Sequence, residues 1–532
     1  MRLNKPSHNY KDFDQRLLSY KSKETSKMDQ EEIEQCSTLF SENYGIWSEY
    51  GPKPGERIKF TPKMIKESFV DKPNRSVAMV FYENELVGYA FYLRRTVPQK
   101  GYLTWILQLV VKKEFRGNHI GTKLMYSIWN LSDSYACGLY TSNPKTIKAL
   151  EKATMRTVDL NYISRNLKHI KQQLYDVFPD TAWIDMYKKG TVNTEFFTDH
   201  SNISKIIKET YPNHTFPLGS DLPEGYEWLA ITFNKQTPYL DSTDDMISLL
   251  EFSQSALVDA YSRMKFDEQA WNKHTLKEVD YISEFLNQND EILDLGCGNG
   301  RITNELGNRG YHCLGIDFSD RHIEIAEENK SLNVSFSVND ARSFKTKKKF
   351  DVVICLYDVI GSFPEERENI KILKTAYRSL TPNGKLILSV MNKEISMKNC
   401  RKHGNEIKGI ENCIDKLLSL KGSNTMQSTG DVFDGKKTLY DSKDGVFYRK
   451  EQFFDEEYLP IEYIVRDRRY SIMDIKRLLD LTGFEIDDNH YFNASNMSNP
   501  LKADDPKAKE LFVVAHKVNN RKRFIKKLYY WM

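Results

Sequence analysis

Apolar positions along the chain fall into two rhythms, one helical and one extended. Ile33, Cys36, Leu39 and Phe40 recur at roughly helical spacing and predict a helix over 31–44. Two apolar runs, SVAMVF at 76–81 and LVGYAFYL at 86–93, flank the polar YENE and predict a hairpin. YLTWILQLVV at 102–111 predicts a longer strand. It leads into KKEFRGNHIGTKLM, a basic turn and then a helix with Ile120, Leu124 and Ile128 on one face. A strand at 136–141 precedes Asn143 and Pro144, which open another helix; proline in the first turn gives up an N–H that has no helical partner. From 167 to 245 the rhythm weakens, and EWLAITF at 227–233 is the strand it still suggests. Residues 1–29 are polar and read as a mobile leader. The interval 237–250 reads as a linker, because TPYLDSTD gathers Pro, Ser, Thr and Asp.

A helical region from 246 carries Tyr261, Phe266 and Trp271 and leads into a second series of elements. Ile292 and Leu293 end a buried strand, and further strands are predicted at 311–316, 334–338, 350–356 and 386–391. An insertion at 399–459 holds a helix-like piece at 410–420 and short strands around 437–440 and 446–453. Arg466, Arg468, Arg469 and Tyr470 precede a helix at 472–481. The arginines read either as a solvated edge or as a site for an anionic acceptor. The tail at 519–532, NNRKRFIKKLYYWM, is basic and then aromatic. It fits a membrane surface, nucleic acid, a partner subunit or packing on the protein equally, and no function is assigned to it.

The chemistry concentrates in EILDLGCGNGR at 291–301. Asp294 closes the strand, and Gly296, Gly298 and Gly300 turn the chain into a helix; glycine tolerates positive φ and lets backbone approach a ligand closely. A dinucleotide fingerprint requires glycine at 301, where this chain has Arg301. A carboxylate at Asp294 disfavours a pyrophosphate and suits a cationic ligand with a free amino group. The second strand ends in Asp317, placed to accept from ribose hydroxyls. The third ends in Asn339 and Asp340, where an adenine edge can be held. DLGCGNG, GIDFS, NDA, FDVVICLYDVIGSF and LTPNGKLILSV occur in that order and resemble the class I S-adenosylmethionine-dependent methyltransferases over roughly 252–518. The resemblance implies a Rossmann-like, doubly wound α/β domain over 251–518. It further implies that S-adenosylmethionine is held by Asp294, Gly296, Cys297, Gly298, Gly300, Asp317, Phe318, Asp340, Ala341 and Leu356. Tyr357 and Asp358 are the catalytic candidates beside the transfer point. The loop after the fourth strand lacks the Asp/Asn-Pro-Pro-aromatic signature of enzymes acting on exocyclic base amines, and the chain has no Pro-Cys pair. DNA is therefore not an expected partner.

The earlier turn, Arg116-Gly117-Asn118-His119-Ile120-Gly121, is a second ligand-binding pattern, because amides at a helix N-terminus suit anions such as pyrophosphate. With TSNPKTIKALEKA after it, this half resembles the GNAT superfamily of acetyl-CoA-dependent N-acyltransferases, specifically over about 76–156. The resemblance implies a mixed sheet with helices over 30–236 and acetyl-CoA, or another acyl-CoA, held by Leu109, Val111, Arg116, Gly117, Asn118, His119, Ile120, Gly121, Thr122 and Asn143. A backbone amide near Val111 would face the thioester carbonyl. Two positions depart from the family: His119 stands where the first of two glycines is usual, and Leu150 where many members carry a tyrosine general acid. Either another group, such as Tyr140, protonates the thiolate, or this half binds CoA without fast turnover. Glu83, Glu85 and Glu114 are candidates for a base by chemistry alone and read more readily as solvated turn carboxylates.

Composition narrows the setting. A formal charge of +3 on 532 residues gives no global case for nucleic-acid binding. Seven scattered cysteines without a C-x-x-C pair indicate neither a disulfide framework nor a metal site, and a reducing cytoplasm is the simplest setting. The first sixteen residues lack the apolar core of a signal peptide, and no apolar run approaches the ~20 residues of a membrane span. The chain thus reads as a bifunctional transferase acting on a small-molecule acceptor, with its oligomeric state open. The alternatives are a methyltransferase carrying a degenerate binding module, or a modifier of a protein or tRNA.

Overall fold

In the computed structural model, the apolar hairpin predicted near residue 80 forms the middle of a seven-stranded sheet. The structure describes residues 18–129, 135–177, 190–212, 215–236, 250, 272–424, 431–454, 460–494 and 496–518. The chain divides into two units, Met1–Phe252 and Ser253–Met532.

In the first unit the strands are β1 (Leu18–Glu24), β2 (Ser76–Tyr82), β3 (Glu85–Val97), β4 (Gly101–Val111), β5 (Ala136–Thr141), β6 (Thr191–Asn193) and β7 (Tyr226–Phe233), in the order β1-β2-β3-β4-β5-β7-β6. Only the β4/β5 pair is parallel. Glu83 and Asn84 make the β2–β3 turn with φ of +48° and +73°, the geometry that matches strand twist in a two-residue hairpin. The helix Gln30–Asn43 begins with a reciprocal capping box between Asp29 and Glu32. It buries Ile33, Cys36, Leu39 and Phe40 in one cluster with Val77, Met79, Tyr89 and Phe91. The mobile leader expected over 1–29 does not extend to its end. Leu18–Glu24 is an edge strand paired along its length with β2, and its outward-facing positions are polar, which hid it in the sequence. Residues 1–17 lie outside the described residues, as do 237–249, Tyr261, Phe266, Trp271 and the tail 519–532.

The second unit contains β8 (Glu291–Leu295), β9 (His312–Asp317), β10 (Val334–Val338), β11 (Phe350–Cys355), β12 (Leu380–Met391), β13 (Glu406–Ile407), β14 (Thr438–Asp441), β15 (Val446–Phe454), β16 (Pro460–Asp467), β17 (Phe484–Asn493), β18 (Asn496–Leu501) and β19 (Glu510–Lys517). Its main sheet runs β10-β9-β8-β11-β12-β19-β17-β18. The first five of these are mutually parallel, and the last three add antiparallel. Ile292 joins the core on one face and Leu293 the core on the other, as a strand covered on both sides requires. This is a Rossmann-like, doubly wound sheet. Strand order reverses at β8, flanked by β9 and β11, which opens a crevice at its carboxyl end.

The insertion is larger than the expected 399–459. Strands β13 to β16 form a separate four-stranded sheet, and β16 carries it on to Asp467 through its ladder with β15. The helix-like stretch expected at 410–420 is a 3-10 turn, Ile410–Asn412, and a short helix, Ile414–Ser419. Arg469 is buried rather than solvated.

Gly361 ties this added sheet to the loop after β11. Its N–H donates to Asn369 Oδ1 at 3.0 Å and its carbonyl accepts from the Arg468 N–H at 2.8 Å. With φ at +122°, a Cβ there would stand 2.3 Å from the Arg468 carbonyl oxygen. Gly361→Ala is expected to lower stability by about 2–4 kcal/mol, read as a lower denaturation midpoint with an unchanged m-value.

Candidate functional sites

The carboxyl end of β8 is held by its neighbour. Gly296 and Cys297 both donate their N–H to the Ile316 carbonyl, at 2.8 and 2.9 Å. Asp317 accepts from the Gly298 N–H at 3.0 Å and from the Ser319 N–H at 3.0 Å, so its carboxylate is fixed before any ligand arrives. The three glycines have positive φ but different reasons for lacking a side chain. A Cβ at Gly296 would lie 2.6 Å from Val359, and one at Gly300 2.7 Å from Phe336, whereas one at Gly298 would meet nothing within 4 Å. Gly296 and Gly300 thus serve packing, and Gly298 borders open space where a ligand can come close to backbone.

Asp294 is 4% exposed and accepts from Thr303 Oγ1 at 2.6 Å. Burial pushes its carboxyl up to about 7; the Thr303 bond and the charge of Arg301 pull downward, and Asp317 adds to the rise. Asp340 differs. Burial favours its neutral form, but hydrogen bonds from Arg342, at 2.6 Å from Nη2 and 2.8 Å from the backbone N–H, hold it below the usual carboxylate range. A cavity of about 410 Å³ runs past these groups, and every residue expected to serve the C-terminal half lines it except Gly300. The volume falls within the range of small-molecule pockets, roughly 300–1,000 Å³.

Tyr357 and Asp358 enter this cavity in different states. Tyr357 sits at φ +59°, donates its N–H to Ser389 Oγ at 2.7 Å and gives its hydroxyl to the carboxylate of Glu278. Glu278 is fully buried and also pairs with Arg301, whose guanidinium lies 4.9 Å from the Tyr357 ring centre. The hydroxyl is therefore committed, and burial raises its proton affinity further. Asp358 accepts no hydrogen bond from the described residues. Burial and nearby Asp467 push it up to about 6, against Arg449 and Arg469. The sequence reading missed Glu278. Its one trace there is a carboxylate inside the partly apolar LKEVDYIS.

In the first unit β4 pairs with β5 only over Leu103–Ile106. A bulge at Leu107 shifts its register against β3, and the strand then leaves β5, which opens a wedge bordered by Leu109 and Val111. The helix Ile120–Ile128 points its N-terminus at this wedge: a Cβ at Gly121 would lie 3.7 Å from Val111 and 3.8 Å from Leu109. The first-turn amides of Ile120, Gly121 and Thr122 have no partner within the helix. His119 precedes them at φ +59°, the conformation a glycine would take without strain, while Gly117 has φ +90°. Arg116 is used locally: its Nε donates to the Val111 carbonyl at 3.0 Å and its Nη2 to that of Asn43. Asn118 bonds the Phe115 carbonyl at 3.3 Å, and Asn143 caps the helix Pro144–Thr154 through the Lys145 N–H at 3.0 Å.

Leu150 is fully buried, and Glu83, Glu85 and Glu114 lie on the surface, Glu85 paired with Lys112. A buried carboxylate just beyond the end of the β5 ladder is Glu227 on β7, which the sequence reading passed over. It is 3% exposed, and the ladder sets it one residue past the β5 pairing, beside Ser142. Burial pushes it up to about 7, against hydrogen bonds from Thr194 and the Ser142 backbone. Burial, with Glu227 nearby, also raises the Tyr140 hydroxyl well above its ordinary value. A lone acid in EWLAITF was the available signal.

Comparison with known proteins gives matches in both units. The family model for a methyltransferase domain matches residues 286–440, and that for the acetyltransferase (GNAT) family matches residues 35–153. A ubiquinone biosynthesis O-methyltransferase of Coxiella burnetii is 27% identical over 106 residues, 19% of this chain and 44% of that protein. Proteins of the same name from Rickettsia canadensis and Rickettsia conorii are 30% identical over 148 residues and 26% over 174, covering 24% and 31% of this chain and 61% and 57% of theirs. The chain thus spans about half the length of these relatives. Among solved structures, the CcbJ methyltransferase from Streptomyces caelestis is 13% identical with a TM-score of 0.35, over 46% of this chain and 90% of that one. A methyltransferase from Methanosarcina mazei is 23% identical with a TM-score of 0.31, over 45% and 97%. The chain thus carries a domain of the acetyltransferase (GNAT) family in its first unit and a methyltransferase domain in its second.

Proposed function

We propose that the protein is a cytoplasmic bifunctional transferase, methylating a small-molecule acceptor in its C-terminal domain and acetylating an amine from acetyl-CoA in its N-terminal domain. The observation that carries the methyl-transfer half is one cavity holding Asp294, Gly298 and Asp317 at one end and Asp358 at the other. The residues fit S-adenosylmethionine: Gly298 leaves room for its methionine portion, Asp294 faces its ammonium, Asp317 its ribose and Ala341 its adenine. Arg342 must release one Asp340 oxygen for that carboxylate to contribute. Bound there, the cofactor supplies an electrophilic methyl group, and the protein contributes binding, orientation and exclusion of water. The Arg301–Glu278–Tyr357 cluster commits the Tyr357 hydroxyl, which leaves Asp358 as the group able to take a proton.

The N-terminal half rests on the β4–β5 wedge, the open helix N-terminus and Glu227. Acetyl-CoA fits with its pyrophosphate on the amides of Gly117 to Thr122 and its thioester against β4. Glu227 would take the proton of the attacking amine. Tyr140, beside it, replaces the tyrosine missing at Leu150 as the donor to the departing thiolate. No helix of the described residues is long and apolar enough to cross a membrane.

Calorimetric titration with S-adenosylhomocysteine and with acetyl-CoA separates the two halves. Both are expected to bind; Gly298→Arg abolishes only the first and Gly121→Glu only the second. Failure of acetyl-CoA to bind would leave a methyltransferase with a degenerate module.

Asp294 gives the first site a pH signature. Its carboxyl titrates near 7 in the free protein and must be ionised to meet an ammonium, so S-adenosylhomocysteine affinity should fall by up to about tenfold per unit as pH drops below 7. Asp294→Asn should flatten that profile and weaken binding at pH 8, both read from isotherms across pH.

In a thioester-consumption assay with a panel of small amines, Glu227→Gln should reduce turnover by about a hundredfold or more with acetyl-CoA affinity retained. Unchanged turnover would remove Glu227 from the reaction.

A further inference from the structure

The cavity has two ends of different origin. The cofactor end is built by the turns after β8, β9 and β10, and the far end is walled by the added sheet and by the residues that begin β19. Val432, Phe433 and Val465 give that far end apolar walls. Arg449 and Asp467 reach it from β15 and β16, opposite Asp358, and Lys509 and Glu510 complete its lining.

Charges at this end are unequal. Asp467 is held by Arg449 at one oxygen and by Arg469 Nε at 2.9 Å at the other. Arg449 is shared with buried Glu451 at 3.2 Å, and Arg469 also donates to Ser396 Oγ at 2.9 Å. The Arg469 Nη2 has no hydrogen-bond partner among the described residues, but this side chain does not line the cavity; its guanidinium lies 4.6 Å from the Phe447 ring centre and 5.3 Å from that of Phe433. Three lining carboxylates, Asp358, Asp467 and Glu510, thus accompany two lining cations, Arg449 and Lys509, while Glu451 and Arg469 pair with Arg449 and Asp467 without lining the cavity. Both arginines are engaged by Asp467, while Asp358 accepts nothing from the described residues. An anionic acceptor would meet Asp358 with both guanidiniums already engaged, a like-charge contact at the cavity wall. A cation on an apolar body would be matched on both counts.

Resting on the methyltransferase reading, we propose that the acceptor is a primary or secondary amine on an apolar or aromatic body, its nitrogen seated at Asp358 and its body against Phe433 and Val465. The ammonium gives one proton to the Asp358 carboxylate. The freed lone pair on nitrogen forms the bond to the methyl carbon of the sulfonium. The carbon–sulfur pair stays with sulfur, which becomes a neutral thioether, and the product leaves as the N-methylammonium.

The test is calorimetry on the full-length protein saturated with S-adenosylhomocysteine, using 2-phenylethylamine, 2-phenylethanol and phenylacetate as size-matched probes. The amine is expected to bind saturably and the other two at least about tenfold more weakly, a difference of roughly 1.4 kcal/mol. Asp358→Asn and Asp358→Ser, each checked by its own S-adenosylhomocysteine titration, should remove that preference. Phenylacetate binding as well as the amine, an amine isotherm unchanged in both variants, or no amine binding to the saturated protein would overturn the proposal. Failure of S-adenosylhomocysteine itself to bind would instead overturn the methyltransferase reading on which it rests.

Discussion

A carboxylate buried at the end of a central strand sets the terms for the second unit. Asp294 rises from 3.8 to about 7 on burial, which corresponds to on the order of 4 kcal/mol against its ionised form. Because the folded value is the raised one, this group favours folding most below its unfolded value near 4, and that contribution is lost as pH rises through 7. Thr303 offers one hydrogen bond, too little to offset the desolvation. Placing the acid at the switch point, where β9 and β11 part, means that the missing compensation can come from a cation entering the crevice. The surrounding backbone is already committed: the amides of Gly296, Cys297 and Gly298 are tied to Ile316 and Asp317. The turn beside Asp294 is therefore held by the protein's own hydrogen bonds.

Much of this was legible along the chain because the governing patterns are local. Apolar runs of strand length, glycines at alternate positions and acids at strand ends describe β8, β9 and β10 and the turns after them. What escaped was whatever depends on partners distant in sequence. Leu18–Glu24 carries a half-polar pattern and becomes a strand only because β2 offers an edge. Arg116 looks like an anion ligand, yet its nearest acceptors are the carbonyls of Val111 and Asn43. Arg469 sits in a run that resembles a solvated edge, and burial becomes possible because Asp467 and two aromatic rings receive it.

Glu278 shows how a residue without local signal can determine a site. It lies on a helix ahead of β8, accepts from Tyr357 and pairs with Arg301 at the start of the following helix. Removing one partner of such a buried cluster leaves an uncompensated charge, so the three side chains act as one unit. Tyr357 is held in a left-handed conformation that a bulky residue adopts only when its surroundings impose it. Its neighbour Asp358 also lines the cavity, and the commitment of the Tyr357 hydroxyl follows from the helix rather than from the loop that carries both residues.

The two domains arrive at the same physical arrangement by different folds. Asp294 lies at the end of a parallel strand at a switch point, and Glu227 stands on β7 just past its ladder with β5. Each is nearly excluded from water, and each titrates near 7 because burial outweighs the hydrogen bonds it accepts. A carboxylate in this state changes charge around neutrality with the arrival or departure of a single cation or proton. In the proposed methyl-transfer reading, the charge arriving near Asp294 is fixed on a cofactor and the acid serves binding. Near Glu227 the neighbour is Tyr140, a neutral group whose proton affinity is raised by burial. In the proposed reading, that contrast in partners, rather than in burial, assigns binding to one acid and proton exchange to the other.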